Sequence, residues 1–494
     1  MKIERRPSTA PAGRGLPRRT LLKAGGLTAL TVAAAAATAS APAFADTPEG
    51  PDAIEGTYDV IVIGAGYAGV TAARELRAKG LRPLILEARG RIGGRTWTST
   101  FQGQQVELGA QWIGPTQPLV HDELTRYGIT TYSGTPPTRY IMPSGTGFQA
   151  FPPEEVDSRY TTLMNQLFEG AQELFPHPTD PLYRADLLAT ADRLTLRDRL
   201  NQLRLSPQDE SWISGTTAGY SGGASTIGAY TALAQWWSLA GNNVAGYEAV
   251  MSQRITGGMT ALLSAMLADS RAVLRLNAPV AAVADDGTRV RVTLKSGQVY
   301  RAPAAVVAVP VNVWKTIAFT PGLPTVHQQA TTQGVGVPYS NKLWMHVTGL
   351  PDRVAARGAE GSPFTTLLSQ NPLTEGQLMV GFNSQPPLDG TNTAAVRDAV
   401  RTMVPEANVV SVLAQDWGKD PYSLGGWALR RPGQLTTQLP AIQQPRGRVS
   451  FASGDIATGW VGFVEGAIES GLRAAQQAAK AVGSGGRSGL SSAA

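Results

Sequence analysis

Gly64-Ala65-Gly66-Tyr67-Ala68-Gly69 spaces three glycines as G-x-G-x-x-G. The chemistry such a run supports is the holding of a pyrophosphate. The first glycine makes a tight turn, the second lets the backbone approach the phosphates, and the third packs helix on strand. The phosphates then sit at a helix N-terminus, against free N–H groups and the positive end of the dipole. Glu87 stands 18 residues past Gly69. A carboxylate there can accept the two ribose hydroxyls of an adenosine half, and it disfavours a 2′-phosphate. The loop Glu87-Ala88-Arg89-Gly90-Arg91-Ile92-Gly93-Gly94-Arg95 can lay backbone N–H groups and a guanidinium on a second phosphate. A nicotinamide dehydrogenase does not need that loop, so the run reads as an FAD site rather than an NAD site.

The elements that must position these groups can be read from the same stretch. Tyr58–Ile63 is a β-branched run expected as a buried strand. Gly66–Lys79 has helical spacing and stops before Gly80, and Arg82–Leu86 reads as a second strand. Together they make a β-α-β unit. Residues 158–263 are mostly helical by pattern. Val273–Val309 returns to strands, with a hairpin turn at Asp285-Asp286-Gly287. Lys342–Val347, Gln377–Asn383 and Gly447–Ala452 read as further strands, and Gly459–Val482 as a long helix.

Composition bounds the partners. The formal charge of +6 resides entirely in residues 1–45, which hold seven basic residues against Glu4. The remainder has 36 basic and 36 acidic residues, so no nucleic-acid partner is expected. Those first 45 residues read as an export leader. They show a basic start, an Ala-rich apolar stretch over 24–37, and Ala43-Phe44-Ala45 as a cleavage site. Arg18-Arg19-Thr20-Leu21-Leu22-Lys23 resembles the twin-arginine signal, which hands folded proteins to the twin-arginine export machinery. The expected location is therefore periplasmic or extracellular, with no stable membrane anchor, since the apolar stretch is too weak for a span. The sequence has no cysteine, which excludes disulfides, a thiol nucleophile and a thioether to a cofactor. His121, His177, His327 and His346 show no metal-ligand spacing, and no metal site is expected.

Three passages together, VIVIGAGYAGVTAAREL, LILEARGRIGGRT and ELGAQWIGPTQ, resemble the flavin monoamine oxidase family, and within it the bacterial nicotine-degrading type. RITGGMTALLSAML at Arg254–Leu267, AVVAVPVNVWKTIAFTP at Ala305–Pro321, and GRVSFASGDIATGWVGFVEGAIESGLRAA at Gly447–Ala475 extend the likeness over nearly the whole mature chain. The resemblance implies an α/β fold, α+β overall. A dinucleotide-binding FAD domain is built from three discontinuous segments, with an inserted substrate domain of sheet plus helices. The expected organisation runs as a leader at 1–45, a linker at 46–57 and FAD-binding segments at 58–130, 245–325 and 435–482. Substrate-domain parts occupy 131–244, mainly helical, and 326–434, and 483–494 is a disordered tail.

Carried over residue by residue, the resemblance gives cofactor contacts at Gly64, Gly66, Tyr67, Ala68 and Gly69; Glu87, Ala88 and Arg89; and Gly94, Arg95 and Thr96. It adds Gly109, Ala110, Gln111 and Trp112; Val280; and Gly454, Asp455, Gly462 and Phe463. Lys342 matches the family's lysine that holds a water beside flavin N5. Trp427 and Phe463 match the walls of its aromatic cage, here without the usual hydroxyls. Asp455, in Phe451-Ala452-Ser453-Gly454-Asp455, stands where the family has glutamate. Trp112 and Trp236 are cavity candidates alongside Trp427 and Phe463, although core packing is the preferred reading of Trp112, Trp236 and Trp237. With no cysteine near Gly447–Phe463, the FAD is expected to be non-covalent.

The implied activity is oxidation of a small-molecule amine to an imine by hydride transfer to flavin N5. Hydrolysis of the imine follows, and oxygen reoxidises the flavin with formation of hydrogen peroxide. A dehydrogenase feeding a cytochrome or quinone, an L-amino-acid oxidase and a non-catalytic FAD-binding protein are the competing readings. The oligomeric state is open, with a homodimer among the options.

Overall fold

The β-branched run Val60–Ile63 sits at the centre of a five-stranded parallel sheet. Its order is Val449–Phe451, Ala304–Val307, Val60–Ile63, Pro83–Leu86 and Val273–Arg275. The computed structural model describes residues 58–383 and 387–485, the last two by backbone alone. The leader, the linker and residues 486–494 lie outside the described residues.

Both faces of this sheet are buried, as parallel sheets require. Val60 and Val62 point into a core shared with the helices Tyr67–Ala78, Met259–Ser270 and Val464–Gly485. Ile61 and Ile63 point the other way, into the largest core, which runs on through Leu163, Trp212 and Trp236 of the helical region. The strands of the sheet thus come from three separated stretches of chain, and the first βα turn opens at the carboxyl ends of the central strands, where ligands bind in such sheets. A four-stranded sheet takes three strands from the stretch expected between 273 and 309, Val280–Asp285, Val290–Leu294 and Val299–Ala302, with the turn at 285–287, and a fourth, Ala318–Thr320, from beyond it.

A seven-stranded sheet forms the floor of the other half. Its order is Asn408–Asp416, Asn341–Thr348, Gln377–Asn383, Thr366–Pro372, Val354–Arg357, Arg139–Ser144 and Gly147–Phe151. Two of these strands were expected. The hairpin Arg139–Phe151 falls in a stretch expected to be mainly helical. Its strands are short, carry Pro143 and alternate weakly, so their identity is set by pairing with Val354–Arg357 rather than by local pattern. One face of the sheet, through Leu343, Met345, Leu367 and Met379, packs on the helix Thr393–Arg401. The C-terminal helix begins at Val464 rather than Gly459 and continues to Gly485, so the first three residues expected in the disordered tail are helical. Among the described residues no helix is long and apolar enough to cross a membrane, and no cluster of His, Asp or Glu could hold a metal.

Candidate active site

The helix Tyr67–Ala78 starts at Gly66 with no side chain capping its free N–H groups. Four such donors are orphaned at any helix start, and here Gly64, Gly66, Tyr67 and Ala68 line a cavity of about 940 Å³. Gly64 has φ +107°, and a Cβ there would meet Ala308 O at 2.7 Å. At Gly69 a Cβ would lie 2.0 Å from Gly64 O, so this third glycine lets the helix close on the turn and does not itself line the cavity.

Glu87 follows the strand Pro83–Leu86 and is 4% exposed. Its Oε2 accepts from Ala65 N at 2.8 Å and its Oε1 from Arg89 N at 2.9 Å, so the carboxylate ties the glycine turn to the arginine loop. Each oxygen keeps a lone pair for a further donor. Val280, Lys295 and Tyr422 close this end of the cavity. Arg89 is paired with Asp420 and lies 5.2 Å from the Tyr422 ring. Farther along, Arg95 donates to Gly426 O at 2.7 Å and to Asp455 Oδ1 at 2.6 Å. Asp455 is fully buried, and its other oxygen accepts from Val311 N at 2.8 Å. It therefore lies behind the cavity wall and aims Arg95, rather than lining the cavity itself.

The opposite end is aromatic. Trp427 is fixed by its indole N–H on Tyr220 O at 2.8 Å, and Phe463 meets the edges of Trp236 and Trp460 at 5.0 Å each. Trp236 is both core and wall. It is 3% exposed, its Nε1 donates to Val461 O, and its ring lines the cavity. Trp237 instead stacks on Phe168 in the core. Trp112 lines the cavity 6.1 Å from Phe382, a ring the sequence reading did not single out.

Lys342 sits between these rings, 3% exposed. Its Nζ donates to Gly109 O at 2.9 Å and Gln111 Oε1 at 2.8 Å, and lies 5.1 Å from Trp112 and 5.6 Å from Phe382. Burial pushes its ammonium well below the usual lysine range, opposed by the Glu107 carboxylate and reinforced by Arg254. Burial likewise raises Glu107, against hydrogen bonds from Met259 N and Thr98 Oγ1 and the charge of Lys342.

The remaining expected contacts, Ala88, Gly94, Thr96, Ala110, Gly454 and Gly462, also line this cavity. Phe382, Tyr220, Arg254, Gln370 and Arg357 line it too, and the sequence reading missed them. An extended dinucleotide with a planar ring at one end fits the residues present: an uncapped helix start, an acid beside it, an arginine midway and an aromatic chamber with one buried cation.

A sequence model of the family described as flavin containing amine oxidoreductase matches residues 67–479. The pseudooxynicotine dehydrogenase of a Pseudomonas species is 35% identical over 434 residues, covering 85% of this chain and 86% of that protein. The (S)-6-hydroxynicotine oxidase of Paenarthrobacter nicotinovorans is 27% identical over 425 residues, 84% of this chain and 97% of that one. Among solved structures, putrescine oxidase bound to putrescine matches the fold with a TM-score of 0.74 at 21% identity, over 86% of this chain and 99% of that chain.

Proposed function

Because the chain belongs to the flavin containing amine oxidoreductase family, we propose that it oxidises a small, largely apolar amine, using FAD held without a covalent bond. The observation that carries this reading is the continuity of one cavity from the Gly64–Ala68 turn and Glu87 to Lys342, Trp427 and Phe463. When bound, the flavin supplies a two-electron acceptor for the hydride leaving the carbon next to nitrogen, and water then hydrolyses the imine. Glu87 would hold the adenosine ribose, and the helix start with Arg95 the pyrophosphate. Trp427 and Phe463 would narrow the approach to the reacting carbon. Lys342 would hold a water at the ring and stabilise charge during reoxidation by oxygen.

The names of the nicotine-related relatives favour a cyclic or a secondary amine. The twin-arginine motif at Arg18-Arg19 and the Ala43-Phe44-Ala45 site support export of the folded, loaded protein. A second reading of the acceptor, a redox protein in place of oxygen, is favoured by the dehydrogenase name of the 35% identical relative. Anaerobic mixing of the yellow protein with an amine panel tests the function. Bleaching by secondary amines supports it, and a flavin left oxidised by every amine overturns it. Admitting air then separates the acceptors: recolouring within a turnover marks an oxidase, and persistent bleaching a dehydrogenase.

A further inference from the structure

Arg254 lines the same cavity as Lys342, and among the described residues no carboxylate pairs with it. Its Nη2 donates to Gln370 Oε1, its guanidinium lies 5.9 Å from the Tyr132 ring, and its Nε is buried without a partner. Gln370 Oε1 also accepts from Gln111 Nε2 at 3.1 Å, and Gln111 Oε1 accepts from Lys342 Nζ at 2.8 Å. Two amides thus join two cations. A cation can only donate, so each amide must turn its oxygen toward the cation it meets. Gln370 is further held by Arg353, whose Nη1 donates to its carbonyl, and by its own Nε2 on Ser369 O at 2.9 Å. Gln111 and Gln370 are both buried, so the protein interior fixes Arg254 relative to Lys342.

The opposing charge is Glu107. Strand pairing sets it against Thr98, whose hydroxyl donates to its Oε1 at 2.7 Å, beside Met259 N at 2.8 Å. Two donors on one oxygen favour the carboxylate form. The Glu107 carbonyl accepts from Trp344 Nε1 at 2.8 Å, and the Trp344 ring lies 5.8 Å from Lys342 Nζ. Glu107 Oε2 is buried with no protein partner. It belongs to a second cavity of about 10 Å³, in whose lining Glu107 is the one carboxylate and Arg254 the one cation. That volume suits one water, and Gln111 lines both cavities. The other charges of the region are engaged elsewhere: Arg357 with Glu248, Arg95 with Asp455, and Arg353 on backbone carbonyls. Two phenols complete the titratable groups here. Tyr132 lines the second cavity, and burial with the charge of Glu107 holds Tyr67 well above its usual range.

We propose that Glu107 and Arg254 are opposed positioning residues for Lys342. Glu107 supports its ammonium, Arg254, fixed by the Gln111–Gln370 amides, favours its neutral form, and their balance sets the pH range in which the chamber reacts with oxygen. The functional part rests on the role given to Lys342 above. Both signs follow from charge: an opposite charge stabilises the protonated lysine and a like charge destabilises it. Burial makes each effect larger than at the surface, because salt and water screen it little.

The test follows Lys342 itself in the holoenzyme. The chain has eight lysines, so lysine isotopically labelled at Cε gives a simple NMR spectrum, with the Lys342 signal identified by its loss in Lys342→Met. Its pH midpoint is expected below those of the other seven. Glu107→Gln keeps an acceptor for Met259 N and should lower the midpoint by about one pH unit or more, and Arg254→Gln should raise it by about as much. Arg254→Lys keeps the charge and should bring the midpoint back toward the wild-type value. Midpoints unmoved by both charge-removing variants, or moved in the opposite sense, overturn the inference, and so does an Arg254→Lys midpoint that stays with Arg254→Gln. If Glu107→Gln does not fold, the two Arg254 variants decide. Reoxidation by oxygen is then measured over the same pH range. A fall that tracks each midpoint supports the role given to Lys342; rates indifferent to the midpoints overturn that role, while the midpoints alone decide the assignment of Glu107 and Arg254.

Discussion

On the proposed reading, acceptor chemistry turns on Lys342. Its ammonium has two protein acceptors, Gly109 O and Gln111 Oε1, and three aromatic faces within 6 Å. Lys342→Met keeps the bulk and removes the charge. It is expected to slow reoxidation by oxygen by at least about tenfold while changing reduction by substrate little, as loss of one electrostatic stabiliser implies. Stopped-flow measurement of the two half-reactions checks this. The sign of the pH effect follows from burial: with the lysine held well below its usual range, against the opposing charge of Glu107, the ammonium is lost at a lower pH than for a free lysine. Reoxidation by wild-type protein should therefore fall as pH rises, and the Lys342→Met rate should be flat. Substrate reduction runs the opposite way. An alkylamine with a pKa of roughly 10.4 is mostly protonated at neutral pH and reacts as the free base, so reduction should rise about tenfold per pH unit from pH 6. Trp427→Ala should lower the limiting reduction rate without removing that slope; full-speed reduction would take the ring out of the mechanism.

On the same reading, cofactor affinity is set at the turn before the helix Tyr67–Ala78. Glu87 accepts from both Ala65 N and Arg89 N, so its side chain holds the turn and the arginine loop together. Glu87→Ala is expected to weaken FAD binding by about 1.5–3 kcal/mol, the range for a hydrogen bond to a charged group, while the order of preferred amines stays unchanged. Titration of the apoprotein with FAD measures it. This element was legible in sequence because everything in it is local: the glycine spacing, the β-branched strand and the acid at the next strand's end lie within 30 residues. The cavity floor was not. The strand Gln377–Asn383 could be expected, but Phe382 becomes a wall only through its register with Lys342, and Arg357 only through two further registers. Asp455 was expected at the cofactor and stands behind Arg95 instead. Its motif marks the place in the chain, while its orientation depends on Val311 and Arg95, far away in sequence.

At the scale of the whole molecule, the absence of cysteine leaves the core and the cofactor as the sources of stability. Acid or heat should release all of the flavin as FAD into the supernatant after precipitation, and flavin retained by the polypeptide would contradict non-covalent binding. A thermal scan should show the midpoint rising with added FAD, since a ligand held only by the native state shifts unfolding by mass action. The order of strands in the five-stranded sheet carries a consequence for biosynthesis. Val60–Ile63 is made first but is flanked by Ala304–Val307, which in turn waits for Val449–Phe451, and the chamber wall Phe463 comes later still. A nascent chain on the ribosome therefore cannot complete the cavity until Phe463 has emerged. On the proposed reading, flavin loading follows synthesis of Phe463 and precedes export of the folded protein.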